Sequence, residues 1–203
     1  AAYDSMRGKD LSDFLDNLVE RIVDYVEASH SNKHKTVNFL PASSREKVTD
    51  LSLPLEGHGS QAILDDLDEF LKQCVKTNRP EFMNPLWGGL NVAGFAGEVV
   101  AALTNQSMYT YELSPIATLI EKAVIERMME IVGFGEGFGT LTTGGSNGNM
   151  LGMLCARQYA DPMSSLNGFD GTKYVAFVSE EAHYSVLMSA NVLGIGYQNL
   201  VKV

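Results

Sequence analysis

An α/β architecture with a largely parallel sheet is expected for the second part of this 203-residue chain, behind a leading helical segment. Three observations carry the expectation. From residue 140 onward, short extended runs alternate with helical ones in the order strand–helix–strand–helix–strand. A glycine turn, Thr143-Gly144-Gly145-Ser146, joins the first of these strands to an apolar helix. Ahead of them, apolar residues recur with helical spacing.

Taken in order, Leu11, Phe14, Leu15, Leu18, Val19, Ile22, Val23 and Val26 form an i, i+3, i+4, i+7 stripe over residues 10–29, with Asp and Glu on the other face. That is an amphipathic helix with nothing adjacent in sequence to pack on, so it is expected to dock on its own body or on a second subunit. Residues 30–59 are polar and carry Pro41, Pro54, Gly57 and Gly59, which predicts an extended connector. A second helix is expected over 60–76, through Ile63, Leu64, Leu67, Phe70, Leu71 and Val75. Residues 78–89 form a loop rich in structure breakers, and a helix follows over 92–103. Ser114-Pro115 is a strong helix start, Ser as N-cap and Pro at the first helical position. That helix is expected to run to about Val132, with Gly133 as a left-handed cap. Beyond the glycine-rich stretch 133–139 come a strand (140–143), a helix (146–159), a polar loop, a strand (174–178), a helix (183–193) and a strand starting at Leu200.

Composition removes several function classes. A formal charge of −10 and a pI near 4.8 argue against a nucleic-acid partner, since phosphate neutralisation needs clustered Lys and Arg. Cys74 and Cys155 sit far apart in apolar helical patterns and read as small hydrophobes. The four histidines have no ligand spacing, so no metal is expected. The first ten residues lack a signal-peptide layout, and no apolar run reaches membrane-spanning length. A cytoplasmic protein without a membrane partner is the expectation.

Two stretches carry chemistry. The first turn of a helix offers N–H groups with no internal acceptor, and the helix dipole adds partial positive charge there. Glycines before it let an anion approach the backbone closely, which makes a phosphate site without Lys or Arg. Gly144, Gly145, Ser146 and Asn147 are placed to supply these N–H groups. A plain strand-to-helix turn has the same glycines, and the spacing is neither a Walker loop nor Gly-x-Gly-x-x-Gly. The second stretch, Ser179-Glu180-Glu181-Ala182-His183-Tyr184-Ser185, puts one imidazole after a strand. Alone it reads equally as a capping histidine. Ligands of open α/β sheets, however, sit at the carboxyl ends of strands, where both stretches are predicted to fall.

Five motifs, in order, carry a resemblance: Arg79-Pro80-Glu81-Phe82-Met83-Asn84; Thr104-Asn105-Gln106-Ser107-Met108-Tyr109-Thr110-Tyr111-Glu112; Ser114-Pro115 with its helix; Thr143-Gly144-Gly145-Ser146-Asn147-Gly148-Asn149; and the His183 stretch. Together they resemble the group II pyridoxal-phosphate-dependent amino-acid decarboxylases, which act on glutamate, cysteine sulfinate, diaminobutyrate and aromatic amino acids. The resemblance implies a fold-type-I transferase architecture. Residues 1–77 would be an N-terminal helical, dimerising segment with its linker, and 78–203 the first part of the large cofactor-binding domain. It implies a homodimer with a shared active site, an L-amino-acid substrate that loses CO2, and pyridoxal 5'-phosphate as cofactor. Gly145, Ser146 and Asn147 would bind the phosphate. His183 would stack on the pyridine ring as the catalytic residue. Asn84, Pro85, Leu86, Trp87 and Tyr109 would line the substrate.

The family's cofactor-bonding lysine, and the Asp that meets the pyridine nitrogen, have no match among these 203 residues, so the N-terminal portion of a longer enzyme is expected. Where the glutamate and cysteine sulfinate enzymes carry a Gln, this chain has Pro85, which puts a glutamate-type contact in doubt. Trp87 either shortens the pocket, stacks on a substrate or packs the dimer interface. Thr104–Ser107 and the run Ser114–Glu121 look closer to the bacterial diaminobutyrate-type branch. Another fold-type-I lyase, or a non-catalytic dimerising remnant, are the alternatives.

Overall fold

The computed structural model describes residues 6–31, 33–168 and 170–203. Its contacts divide the chain into two compact units, residues 1–105 and 106–203.

The first unit is helical. Helix α1 (Lys9–His30) and helix α3 (Ser60–Gln73) pack on each other. Four of the predicted apolar residues of α1, Phe14, Leu18, Ile22 and Val26, are half-buried. Leu18, Ile22 and Val26 border, with Leu67 and Leu71 of α3, a hollow of about 410 Å³. Leu64 of α3 is 3% exposed, the one buried apolar side chain among the described residues of this unit. An ion pair, Arg21 Nε to Asp68 Oδ2 at 3.0 Å, ties the same two helices. The other α1 ridge, Leu11, Leu15, Val19 and Val23, is exposed.

The connector expected over 30–59 holds a seven-residue helix, α2 (Ala42–Val48), preceded by Pro41. Seven residues are too few for an apolar period to show, and Pro41 breaks the chain before the helix rather than within it. Arg45 fixes α2 from the side, Nη1 donating to Gln73 Oε1 at 2.5 Å and Nη2 to the Asn38 carbonyl at 2.6 Å. After α3 the chain turns at Asn78, whose Oδ1 accepts the Leu90 N–H at 2.5 Å. Gly89 is obligatory beside it, because a Cβ there would stand 2.2 Å from Asn78 Oδ1. Helix α4 (Val92–Thr104) follows, with Asn91 Oδ1 accepting the Gly94 N–H at 2.8 Å as its cap.

In the second unit, helix α5 (Pro115–Val132) starts and ends where expected, and Gly133 adopts the left-handed cap (φ 71°). Ser114 occupies the N-cap position but does not cap. It is fully buried, and its hydroxyl donates instead to Gln106 Oε1 at 2.7 Å. Helix α6 (Gly145–Ala160) and helix α8 (Ser185–Val192) pack against each other, with a one-turn helix, α7 (Ser164–Asn167), in the loop after α6. Strands β1 (Ala176–Val178) and β2 (Leu200–Lys202) pair in parallel, Phe177 opposite Val201. Ala190, Leu193 and Ile195 form the core of this unit under Met150, Met153, Leu154, Tyr174 and Leu200.

Residues 140–143 do not form the predicted strand. Among the described residues no strand lies beside them, and an extended segment is a strand only when its N–H and C=O groups find a ladder. The last helix starts at Ser185 rather than His183, which lies in the turn before it.

Candidate functional site

The second unit gathers the cradle around the start of α6. Gly144 precedes the helix in an extended conformation, and its carbonyl accepts from Gly148 N at 3.0 Å and from Thr142 Oγ1 at 3.1 Å. That turns the carbonyl into the helix and leaves the next three amides free. Among the described residues, the N–H groups of Gly145, Ser146 and Asn147 have no acceptor, as the geometry of a first helical turn dictates. At Gly144 and Gly145 an added Cβ would meet no atom within 4 Å. The space a side chain would fill is open to a ligand, so the donors and the room both fit a phosphate group.

The expected approach of a second strand end is half realised. His183 follows β1 by five residues, whereas the cradle follows the unpaired segment 140–143. A hollow of about 300 Å³ lies between the helices, with Ser146 and Asn147 on one wall and Tyr184, Ser185 and Met188 on the other. His183 joins this arrangement through its neighbours. Asn149 Nδ2 donates to Ser185 Oγ at 2.8 Å, and Ser185 Oγ stands 2.9 Å from His183 Nδ1. The Ser185 N–H also donates to Nδ1 at 3.3 Å. The imidazole and the Tyr184 ring lie 4.3 Å apart, tilted by 41°. Asn149 and Ser185 were in the quoted motifs without a role. Their signal was spacing: Asn149 follows Ser146 by one helical turn.

Tyr109, also in the second unit, sits in a turn and is 86% exposed, its N–H on Ser107 Oγ at 3.4 Å. The other substrate-lining candidates belong to the first unit. Asn84 Oδ1 accepts the Leu86 N–H at 2.8 Å, so Pro85 is held in an Asx turn. Trp87 is 56% exposed and meets Phe82 at a centroid distance of 6.0 Å, tilted by 47°. Among the described residues no group of His, Cys, Asp and Glu is arranged for a metal, and no helix is long and apolar enough to cross a membrane.

Comparison with known proteins adds sequence and fold. The family model described as the pyridoxal-dependent decarboxylase conserved domain matches residues 41–203. Glutamate decarboxylase of Drosophila melanogaster is 32% identical over 209 residues, covering 100% of this chain and 41% of that protein. The acidic amino acid decarboxylase GADL1 of Mus musculus is 35% identical over 187 residues, 92% of this chain and 34% of that protein. The crystal structure of mouse CSAD superposes with a TM-score of 0.89 at 30% identity, covering 97% of this chain and 42% of that one. A glutamate decarboxylase domain of a diaminobutyrate enzyme from Vibrio parahaemolyticus shares the fold at 19% identity (TM-score 0.79), over 98% of this chain and 45% of that one. The chain spans between about a third and two-fifths of the length of the curated relatives it matches.

Proposed function

The chain belongs to the pyridoxal-dependent decarboxylase family, and from that premise we propose that it provides the cofactor-phosphate and ring-stacking elements of an enzyme that removes the α-carboxyl group of an L-amino acid as CO2. The observation that carries the reading is the open start of α6. Three consecutive donors without acceptors stand beside two glycines whose missing side chains leave room. A phosphate monoester there would be held by the amides of Gly145, Ser146 and Asn147, by the Ser146 hydroxyl and by the α6 dipole. His183 would lie flat on the cofactor ring and hold its plane, so that the bond to the departing carboxylate stands upright on it. Pyridoxal phosphate, when bound, supplies the electron sink for that bond's electron pair.

The side chain of the substrate is read from the lining candidates and the relatives together. The relatives' names put an acidic amino acid first. Pro85 offers no amide side chain and no N–H, so an acidic substrate's distal group must be met by other residues, and Trp87 and Tyr109 are retained as lining candidates. We also propose a homodimer with a shared site and a large domain beginning near residue 78. The dimer is supported by the exposed α1 ridge, Leu11, Leu15, Val19 and Val23, which is apolar and uncovered.

The test is a CO2-release assay on the full-length gene product with added pyridoxal phosphate. L-glutamate, L-aspartate, L-cysteine sulfinate, L-2,4-diaminobutyrate and L-tryptophan form the panel. Release from at least one, abolished when the cofactor is stripped and restored when it returns, is the expected result. A protein that takes up the cofactor and converts these amino acids to an α-keto acid, or releases ammonia from them, with no CO2 evolved would overturn the decarboxylase reading.

A further inference from the structure

We infer that Asn149 and Ser185 form a relay that fixes the plane and the tautomer of His183, holding the ring proton on Nε2. The inference deepens the site proposed above and rests on His183 as its ring-stacking residue.

The chain of donors has one consistent direction. Asn149 Nδ2 can only donate, so Ser185 Oγ accepts from it at 2.8 Å. The hydroxyl keeps one proton and a second lone pair, and His183 Nδ1 lies within its reach at 2.9 Å, so this pair alone is compatible with either direction. A second donor decides the matter independently. The main-chain N–H of Ser185 reaches the same nitrogen at 3.3 Å, and a main-chain N–H never accepts. Nδ1 therefore carries a lone pair, and the ring's proton stands on Nε2. Among the described residues nothing engages Nε2.

The surroundings make Ser185 a fixed support. It is 2% exposed, it opens α8, and its carbonyl accepts the Ser189 hydroxyl at 2.7 Å. Two donors converging on one ring nitrogen restrict both side-chain torsions of His183. Asn149 lies one turn along α6 from Ser146, so the relay also couples the phosphate end of the cradle to the ring that covers it. Ser185 and Asn149 act through His183 and are positioning residues. An imidazole free to rotate would stack in several planes and present either nitrogen to the site.

The experiment uses the full-length protein labelled with ¹⁵N-histidine, without and with pyridoxal phosphate. Nitrogen–proton correlation spectra read which ring nitrogen bears the proton, and His183→Gln assigns the signal. Wild type is expected to give one tautomer, protonated at Nε2. Asn149→Asp puts a carboxylate against the Ser185 hydroxyl and turns its proton away from Nδ1. Ser185→Ala removes the hydroxyl. Both are expected to move the Nδ1 signal from its wild-type position, and Ser185→Thr to restore it. Cofactor affinity is expected to fall about threefold to tenfold in Ser185→Ala, the worth of one hydrogen bond.

A wild-type ring protonated at Nδ1 overturns the relay without any variant being made. So do Asn149→Asp and Ser185→Ala spectra that match wild type in proteins with native circular dichroism. Failure of the parent reading looks different: the tautomer behaves as expected in the cofactor-free protein, yet pyridoxal phosphate never binds. Cofactor binding and CO2 release alongside an Nδ1-protonated ring would remove the relay alone.

Discussion

His183 stands two residues ahead of α8, anchored at Nδ1. Its replacement by alanine takes away the face proposed to hold the cofactor plane. In the full-length enzyme kcat is expected to fall roughly a hundredfold with weakened cofactor retention, since small misplacements of reacting groups cost that much. Steady-state kinetics with cofactor titration checks it, and wild-type turnover in the variant removes the stacking role. Tyr174 gives a pH prediction. Its hydroxyl donates to Asp161 Oδ2 at 2.5 Å, and this bond, with burial and the carboxylate's charge, raises the phenol's pKa above its ordinary value. The folded state then holds the phenolic proton more tightly than the unfolded chain. The contribution is complete below about pH 10 and is lost as pH rises through the raised folded value. Tyr174→Phe is expected to melt below wild type at neutral pH, with the gap closing in alkaline solution, as melts across that range read directly. At this scale the glycine turn and the imidazole were legible because their residue types are unusual at those positions. The Asn149–Ser185 connection was not, because it spans 36 residues and depends on how α6 meets α8.

Helices with an apolar period or a strong start signal were legible as elements: α1, α3, α4, α5 and α6 lie within a few residues of their expected bounds. The misses share a cause. Helix α2 is held by Arg45 reaching Gln73 and Asn38, and residues 140–143 lack a neighbour to pair with. Both outcomes depend on partners elsewhere in the fold, and local pattern carries no information about those. The α1–α3 pair offers the clearest element-scale test. Leu64 is its buried apolar anchor, and Leu64→Ala is expected to destabilise the first unit by about 2–5 kcal/mol, the range for truncating a buried leucine. Denaturant melts followed by circular dichroism measure it. A loss under about 0.5 kcal/mol, the level of surface substitutions, would mean that the pair is held by its rim instead.

For the whole chain the accessible surface is 16269 Å². Two folded bodies of half its 22.1 kDa mass each would expose roughly 11,000 Å² in total. Much of the excess is apolar: the Leu11–Leu15–Val19–Val23 ridge, and Val92, Val99, Val100 and Leu103 on α4. Val19→Asp puts a charge in the middle of the ridge. It is expected to convert the proposed dimer of the full-length protein to monomer in sedimentation, and a variant that sediments as wild type would count against a dimer built on α1.

The scarcity of buried apolar side chains has a calorimetric consequence. Among the described residues only Leu64, Ala190, Leu193 and Ile195 are apolar and buried. Unfolding heat capacity arises from apolar surface newly wetted, about 12–15 cal/mol/K per residue in ordinary domains. Studied by itself, this chain buries only about half of the surface its unfolded chain exposes, less than an ordinary fold of its size. Its heat-capacity increment on melting is expected to fall below that per-residue figure, with a flatter stability curve. Burial of the apolar faces of α1 and α4 in the proposed dimer is expected to give a negative heat-capacity change on association.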